Sequence, residues 1–211
     1  MFYRFLWWVL KLFIGVPWRV RWLHREHVPV SGGVILAGNH ESYVDPVIIA
    51  MGLWRHVHFM AKAELWNSRI LSFLVERMDA FPVNRGSADR GAITKATQLL
   101  ASGEAVGIFP QGSRHHAKGA EGLREGAGGA ALLAMRAGVP VVPVGIYGSD
   151  RIRPEGSRFP HFPRLTLIYG DPIDPASIPE GGRRERLDAM TARIMDGIAS
   201  AVAEAGGREG G

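Results

Sequence analysis

His40 and Asp45 are the residues of this sequence whose types and spacing most directly suggest chemistry. They lie five positions apart, just after the apolar run Val34 to Ala37. Positions five apart in a regular helix differ by about 140° around its axis, so contact between these two side chains requires a turn. A carboxylate that accepts a hydrogen bond from one imidazole nitrogen fixes the tautomer and leaves the other nitrogen to act as a general base.

A strand and a helix would have to position this pair. Gly38 and Asn39 end the strand signal, and Asp45 followed by Pro46 is typical of the N-cap and first residue of a helix. His40 is therefore predicted to lie on a strand-to-helix turn. The spacing leaves open a second interpretation, in which Asp45 only caps the helix and His40 makes a local hydrogen bond in the loop.

A second segment, Gly107 to Arg114, has features of a phosphate-binding turn. The strand signal from Ala105 to Phe109 runs into a turn that contains Pro and Gly. Gly112 allows the backbone to approach a ligand closely, and the guanidinium of Arg114 is a planar fork that suits a phosphate. An ordinary surface turn with a solvated arginine is the alternative.

Strand and helix signals alternate along most of the chain, which has 211 residues of which 46% are hydrophobic. This alternation predicts an α/β fold in which a mostly parallel sheet is flanked by helices, within one domain at residues 26–205. Loops beyond the strand ends would bring His40, Arg85 and Arg114 to one edge of the sheet. The predicted strands are Val34 to Ala37, Val57 to Ala61, Ala80 to Val83, Ala105 to Phe109, Val141 to Tyr147 and Leu165 to Tyr169. The predicted helices are Pro46 to Gly52, Ser68 to Arg77, Asp89 to Ser102, Gly126 to Ala137 and Arg183 to Ala205.

The two ends of the chain differ from this pattern. Residues 1–16 are nearly all apolar or aromatic, and a helix of this length spans about 24 Å, less than the roughly 30 Å of a bilayer core. Residues 1–25 are therefore predicted to form an N-terminal amphipathic membrane-associating segment, in which residues 1–16 are a membrane-interface helix, with a buried core helix as the alternative. Residues 206–211 are predicted to be a disordered tail. Four of the six tryptophans could sit among lipid headgroups, namely Trp7, Trp8, Trp18 and Trp22.

Charge supports a membrane partner. The net charge is +5, and residues 1–30 carry five Arg and Lys residues against the single acid Glu26. This basic and aromatic segment would attract anionic headgroups and places the protein peripherally on the cytoplasmic face of the cell membrane. No nucleic acid partner is expected, because the cations alternate with Trp and Leu and no nucleic-acid-binding signature occurs. The absence of cysteine is consistent with a reducing cytoplasm.

Four blocks of the sequence, in order, resemble the motifs of the glycerolipid acyltransferase superfamily, whose best-known members are the 1-acylglycerol-3-phosphate acyltransferases. The motif N-H-x-S-x-x-D is matched by Asn39, His40, Ser42 and Asp45, and the A-K-x-E-L that follows it by Ala61 to Leu65. The later blocks are matched by Phe81 to Arg85, by Phe109 to Arg114, which is similar to F-P-E-G-T-R, and by Val139 to Val144, which is similar to V-P-x-x-P-V.

The resemblance implies transfer of a fatty acyl group from acyl-CoA or acyl carrier protein to the hydroxyl of a lysophospholipid, most simply 1-acylglycerol 3-phosphate. His40 would be the general base and Asp45 would orient it. No covalent acyl-enzyme, cofactor or metal is implied, and the acyl donor is a substrate. Substrate-binding roles fall on Asn39, Ser42, Lys62, Arg85, Gln111, Gly112, Ser113 and Arg114.

Gln111 departs from the pattern, because the third block usually carries Glu. An amide keeps an acceptor oxygen but loses the charge and gains two donors. The acceptor could therefore be another lysolipid, a glycolipid or an amino-lipid, and a non-catalytic lipid-binding protein on the same fold is a further alternative. Metal-ligand spacing typical of zinc does not occur among His56, His58, His115 and His116.

Overall fold

The computed structural model describes residues 13, 15–67, 69, 72, 75–76, 79–83, 89–110, 120–154 and 156–208, with the backbone alone at Lys62 and at 120–127. Most of the helix predicted from Ser68 to Arg77, and all but a few residues of the predicted N-terminal helix, lie outside this part of the chain. None of the helices within it combines the length and the apolar character that crossing a bilayer demands.

A seven-stranded sheet forms the centre of the described fold, in the order β1-β7-β6-β2-β5-β3-β4. Every neighbouring pair is parallel except β6 and β7, so β1 and β7 run opposite to the other five strands. The prediction of a mostly parallel sheet is confirmed. The strands are β1 (Arg21–Leu23), β2 (Val34–Gly38), β3 (Val57–Lys62), β4 (Phe81–Val83), β5 (Ala105–Ile108), β6 (Val141–Tyr147) and β7 (Thr166–Tyr169).

Helices cover both faces of the sheet, which explains why β2 is an uninterrupted apolar run. Leu36 belongs to a core cluster with Ile48 of α1, whereas its neighbour Ile35 belongs to a second cluster with Ala96 of α2 and Ile194 of α4. Strands buried on both faces carry apolar residues at every position. The α-helices with both ends in the described residues are α1 (Asp45–Met51), α2 (Arg90–Ala101), α3 (Ala120–Ala137) and α4 (Arg183–Gly207).

The predictions for the helices hold in position and differ at some ends. α2 has Asp89 as its N-cap, whose side chain accepts from the amide of Ala92. α4 buries Met190, Ile194 and Ile198 as its apolar period predicts. α3 begins at Ala120 rather than at Gly126, and its buried alanines are Ala130, Ala131 and Ala134, which pack in the same core cluster as Met190 and Ile194 of α4.

Two predictions at the chain ends need correction. Within residues 1–25, Arg21–Leu23 form an edge strand paired with β7, and the indole of Trp22 packs on the core instead of sitting among headgroups. Gly206 and Gly207 belong to α4 rather than to a disordered tail. A Cβ at Gly206 would stand 2.9 Å from the ring of Tyr147, so the absence of a side chain there allows the end of α4 to pack closely against that ring. Residues 209–211 lie outside the described residues.

Candidate active site

The turn between β2 and α1 brings His40 and Asp45 into direct contact. Nδ1 of His40 lies 3.0 Å from Oδ2 of Asp45. The same oxygen accepts hydrogen bonds from the backbone amides of Glu41 and Ser42, both at 2.7 Å. The prediction that Asp45 is the N-cap is wrong, since Val44 holds that position and Asp45 is the first helical residue. Its carboxylate folds back over the preceding turn and fixes that turn around the imidazole.

Burial distinguishes this pair from a surface contact. The Asp45 side chain is fully buried and that of His40 is 13% exposed. Oδ1 of Asp45 has no hydrogen-bond partner in the described part of the protein, so the two amides and the imidazole concentrate all their hydrogen bonds on one oxygen. A buried carboxylate satisfied in this way is rigid, and it favours an imidazole that presents a proton to it.

Two aromatic rings support the plane of the His40 imidazole. The Phe109 ring stacks on it with 4.1 Å between centroids and 22° between planes, and the Phe59 ring stacks on Phe109 at 5.8 Å. Phe59 comes from β3 and lies over Gly107 of β5, where an added Cβ would overlap its ring. Sequence reasoning missed this stack, although a glycine inside a strand often signals a close approach of this kind.

Asn39 joins the turn to the neighbouring strand β6. Its Nδ2 donates to the carbonyl of Ile146 at 2.9 Å, and its Oδ1 accepts from the amide of Ile146 at 2.7 Å. The residue is 6% exposed. In the structure the Asn39 side chain thus holds the turn against β6, and its substrate-binding role stays a prediction.

The far end of α1 is held by two side chains from the antiparallel edge of the sheet. Nε1 of Trp22 donates to the carbonyl of Ile48 at 2.9 Å, and the hydroxyl of Tyr169 donates to that of Ile49 at 2.7 Å. Burial raises the pKa of Tyr169, so its hydroxyl stays protonated as a donor. These bonds satisfy carbonyls that a helix end leaves without partners, and they fix the helix that begins with Asp45.

The remaining predicted site residues are placed only in part. The Ser42 amide binds Asp45, and Lys62 ends β3 with only its backbone described. In the sheet register, Ala37 of β2 pairs with Ile108 of β5, so these two strands end at the same edge. β4 runs parallel to β3 and also ends there. The segments after β4 and β5 contain the residues that lie outside the described part of the chain: Arg85, Gln111, Gly112, Ser113 and Arg114.

Comparison with known proteins agrees with this arrangement. The family model described as Acyltransferase matches residues 19–147. The chain is 30% identical over 197 residues to the 1-acyl-sn-glycerol-3-phosphate acyltransferase of Bacillus subtilis (strain 168), covering 93% of this chain and 94% of that one. It is 33% identical to the Streptococcus pneumoniae protein of the same name, over 68% of this chain and 51% of that one.

The fold also matches a solved structure. The crystal structure of the 1-acyl-sn-glycerophosphate (LPA) acyltransferase PlsC from Thermotoga maritima superposes with a TM-score of 0.67 and 20% sequence identity, covering 94% of this chain and 80% of that chain. That likeness shows the shared α/β fold. The family match spans both His40 and Asp45 as well as the strands that position them. The chain therefore belongs to the acyltransferase family and is an acyltransferase.

Proposed function

We propose that this acyltransferase moves a fatty acyl group from an acyl-CoA or acyl carrier protein thioester to the free hydroxyl of 1-acylglycerol 3-phosphate, giving phosphatidic acid. The observation that carries the proposal is the buried contact between His40 and Asp45 at the edge where the parallel strands end. The names of the Bacillus and Streptococcus relatives support the choice of acceptor.

The geometry suits general-base catalysis. With its Nδ1 proton donated to Asp45, the His40 imidazole carries a lone pair on Nε2 that accepts the proton of the acceptor hydroxyl. The hydroxyl oxygen then attacks the thioester carbonyl, and the resulting tetrahedral intermediate collapses with release of the thiolate, which takes the proton from the imidazolium. Asp45 stabilises that imidazolium, and the Phe109 ring keeps it in plane.

The acceptor's phosphate would be held by the residues that follow the neighbouring strands. Strands β3, β4 and β5 all end at the edge that carries His40. Lys62, Arg85 and Arg114 would supply positive charge there, and Gly112 and Ser113 would supply hydrogen-bond donors. Gln111, in place of Glu, makes an acceptor with a different headgroup the second candidate: another lysolipid, a glycolipid or an amino-lipid.

The same edge of the sheet has the exposed apolar residues that a membrane enzyme needs. Because β1 and β7 run opposite to β2, the chain before β1 and the loop before β7 lie at the edge with His40. Val16, Phe159 and Phe162 are 63%, 78% and 54% exposed there, and Tyr43 of the active-site turn is 69% exposed. This arrangement would place the His40 turn against the cytoplasmic face of the membrane, where a lysophospholipid resides.

The transfer reaction itself is the first test. Labelled oleoyl-CoA and oleoyl-acyl carrier protein are offered with 1-acylglycerol 3-phosphate and a panel of other lysolipids, in membranes that carry the parent, His40→Ala or the control His56→Ala. We expect phosphatidic acid from the parent and the control, and a loss on the order of 100-fold or more in His40→Ala. Product from another acceptor alone would replace the proposed acceptor. Equal rates in parent and His40→Ala would reject the general base.

Membrane docking has its own test. Binding to vesicles of phosphatidylglycerol and phosphatidylethanolamine is measured by co-sedimentation for the parent and for Phe159→Asp/Phe162→Asp. The control is Val30→Asp, because Val30 is 93% exposed and precedes β2 at the opposite edge. We expect weaker binding in the double variant and none of this loss in the control. Equal weakening in both would contradict docking through the His40 edge.

A further inference from the structure

Three side chains capable of binding a metal lie together on the short turn after β1. His24, Glu26 and His27 each offer a ligand atom, and these atoms lie within 4.8 Å of one another. Nδ1 of His24 stands 3.5 Å from Oε1 of Glu26. In tetrahedral zinc sites with bonds of 2.0–2.2 Å, the ligand atoms are about 3.3–3.5 Å apart. The contact therefore already has the spacing of two zinc ligands.

The second nitrogen of each imidazole has a partner of the type found around metal sites. Nε2 of His24 lies 3.3 Å from Oε1 of Glu204 on α4, and Nδ1 of His27 donates to the carbonyl of Tyr169 at 3.0 Å. Histidines that bind metals usually donate their other ring N–H to a carboxylate or a carbonyl, which fixes the tautomer. This pattern leaves Nδ1 of His24 and Nε2 of His27 as the metal-binding atoms.

The surroundings leave room for further ligands. A cleft of about 610 Å³ between this turn, the end of β7 and α4 is lined by both histidines. Asp171 has a carboxylate oxygen 3.6 Å from Nδ1 of His27, on the side of the ring that the Tyr169 carbonyl also contacts, and so adds negative charge beside the imidazole without being a ligand. Arg208 donates to Glu204 at 2.9 Å, which holds that carboxylate beside His24.

We propose that His24, Glu26 and His27 form a binding site for a divalent transition metal, with Zn²⁺ as the best fit, and that Glu204 and the Tyr169 carbonyl orient the two imidazoles. Two imidazoles and one carboxylate favour zinc over Mg²⁺ or Ca²⁺, which prefer all-oxygen sites. A water would take the fourth position, and the cleft lined by both histidines has room for it. β1 and β7 end at this edge of the sheet, opposite to the edge with His40, so the site is separate from the acyl-transfer machinery.

A bound metal would tie the turn after β1 to the rest of the fold. The three ligands belong to one local segment, whereas their orienting partners come from β7 and α4. Metal binding at this segment would therefore connect the end of β1 to α4 through the contact between His24 and Glu204. This coupling predicts that Zn²⁺ stabilises the folded protein.

The test is Zn²⁺ affinity of the full chain with any tag removed, by competition with a chromophoric chelator at pH 7.5. The variants are His27→Ala and Glu204→Gln. The matched control is His56→Ala, which removes another histidine paired with a carboxylate at 3.0 Å on the surface. We expect one tight equivalent in parent and control, a loss of about 10- to 100-fold in Glu204→Gln and a larger loss in His27→Ala.

A second measurement records the thermal unfolding of the protein instead of its metal affinity. Zn²⁺ should raise the thermal unfolding midpoint of the parent and of His56→Ala, and the shift should shrink in Glu26→Gln, whose side chain is 72% exposed. Absence of tight binding in the parent would overturn the proposal. So would equal affinity in the parent and His27→Ala, because the metal would then be bound by other histidines.

Discussion

Two histidine–aspartate pairs in this protein have the same contact but very different surroundings. His40 with Asp45 and His56 with Asp79 both have an Nδ1 to Oδ2 distance of 3.0 Å. The His56 and Asp79 side chains are 47% and 40% exposed, whereas those of His40 and Asp45 are 13% and 0% exposed. An exposed ion pair contributes little and can rearrange, since solvent competes for both groups. Distance alone therefore does not identify a catalytic pair.

The two pairs also differ in the backbone around them. Oδ2 of Asp45 also accepts hydrogen bonds from the backbone amides of Glu41 and Ser42. Together with the bond to His40, the carboxylate would lose three hydrogen bonds if it rotated. His56 precedes β3, at the edge opposite to the one where His40 follows β2. In open α/β sheets ligands collect beyond the carboxyl ends of the strands. Burial, a locked carboxylate and the edge of the sheet together distinguish the pair that we propose as catalytic.

The largest difference between the pairs should appear in Asp45→Asn and Asp79→Asn. An amide at position 45 can donate to the imidazole and stabilise the wrong tautomer, so we expect kcat to fall on the order of 1,000-fold. Asp79→Asn should change kcat less than about twofold, because it alters only a surface pair. Steady-state kinetics at saturating acyl donor gives both values. Similar losses in the two variants would remove the distinction between the pairs.

Asn39→Ala tests whether the positioning of His40 depends on the bond to β6. The substitution leaves the buried amide and carbonyl of Ile146 without their side-chain partner. We expect the free energy of unfolding to fall by about 1–3 kcal/mol. Denaturant unfolding measures this, with the exposed Asn67→Ala as a control that should stay within about 0.5 kcal/mol. A cost no greater than that of the control would leave Asn39 available for the substrate.

Gly107→Ala tests the support that the rings of Phe59 and Phe109 give to the imidazole of His40. The new methyl group would overlap the Phe59 ring and displace it, together with Phe109 against His40. Such overpacking costs about 1–3 kcal/mol, and we expect kcat to fall on the order of 10-fold at unchanged substrate KM. Gly128→Ala in α3 is the control, since a Cβ there meets nothing within 4 Å. An unchanged kcat in Gly107→Ala would show that the stack does not position His40.

The features that the sequence predicted are those in which local pattern and burial coincide. β2 and β6 are buried on both faces and so appear as apolar runs, and α4 appears as a 3.6-residue period. The contact between His40 and Asp45 could be predicted because a strand signal, a turn and a helix signal follow one another within a few residues. In each case neighbours along the chain carry the information.

The features that were missed depend on partners far away in sequence. β1 has three residues, begins with an arginine and is a strand only because β7 lies beside it. The sequence predicts that Trp22 sits among lipid headgroups, yet its indole N–H donates to the carbonyl of Ile48. Nothing in the sequence near Asn39 indicates that its side-chain amide hydrogen-bonds to the backbone of Ile146. Tertiary contacts decide such positions, and intrinsic propensity does not reveal them.

The pairing of β1 with β7 also sets an order of events during synthesis. Arg21 pairs with Thr166, so the strand that emerges early waits for a partner about 145 residues later. Tyr169, which donates to the end of α1, leaves the ribosome later still. A nascent chain therefore contains His40 and Asp45 long before Tyr169 can bond to the far end of α1. We therefore expect the chain to gain acyl transfer only after β7 has been synthesised.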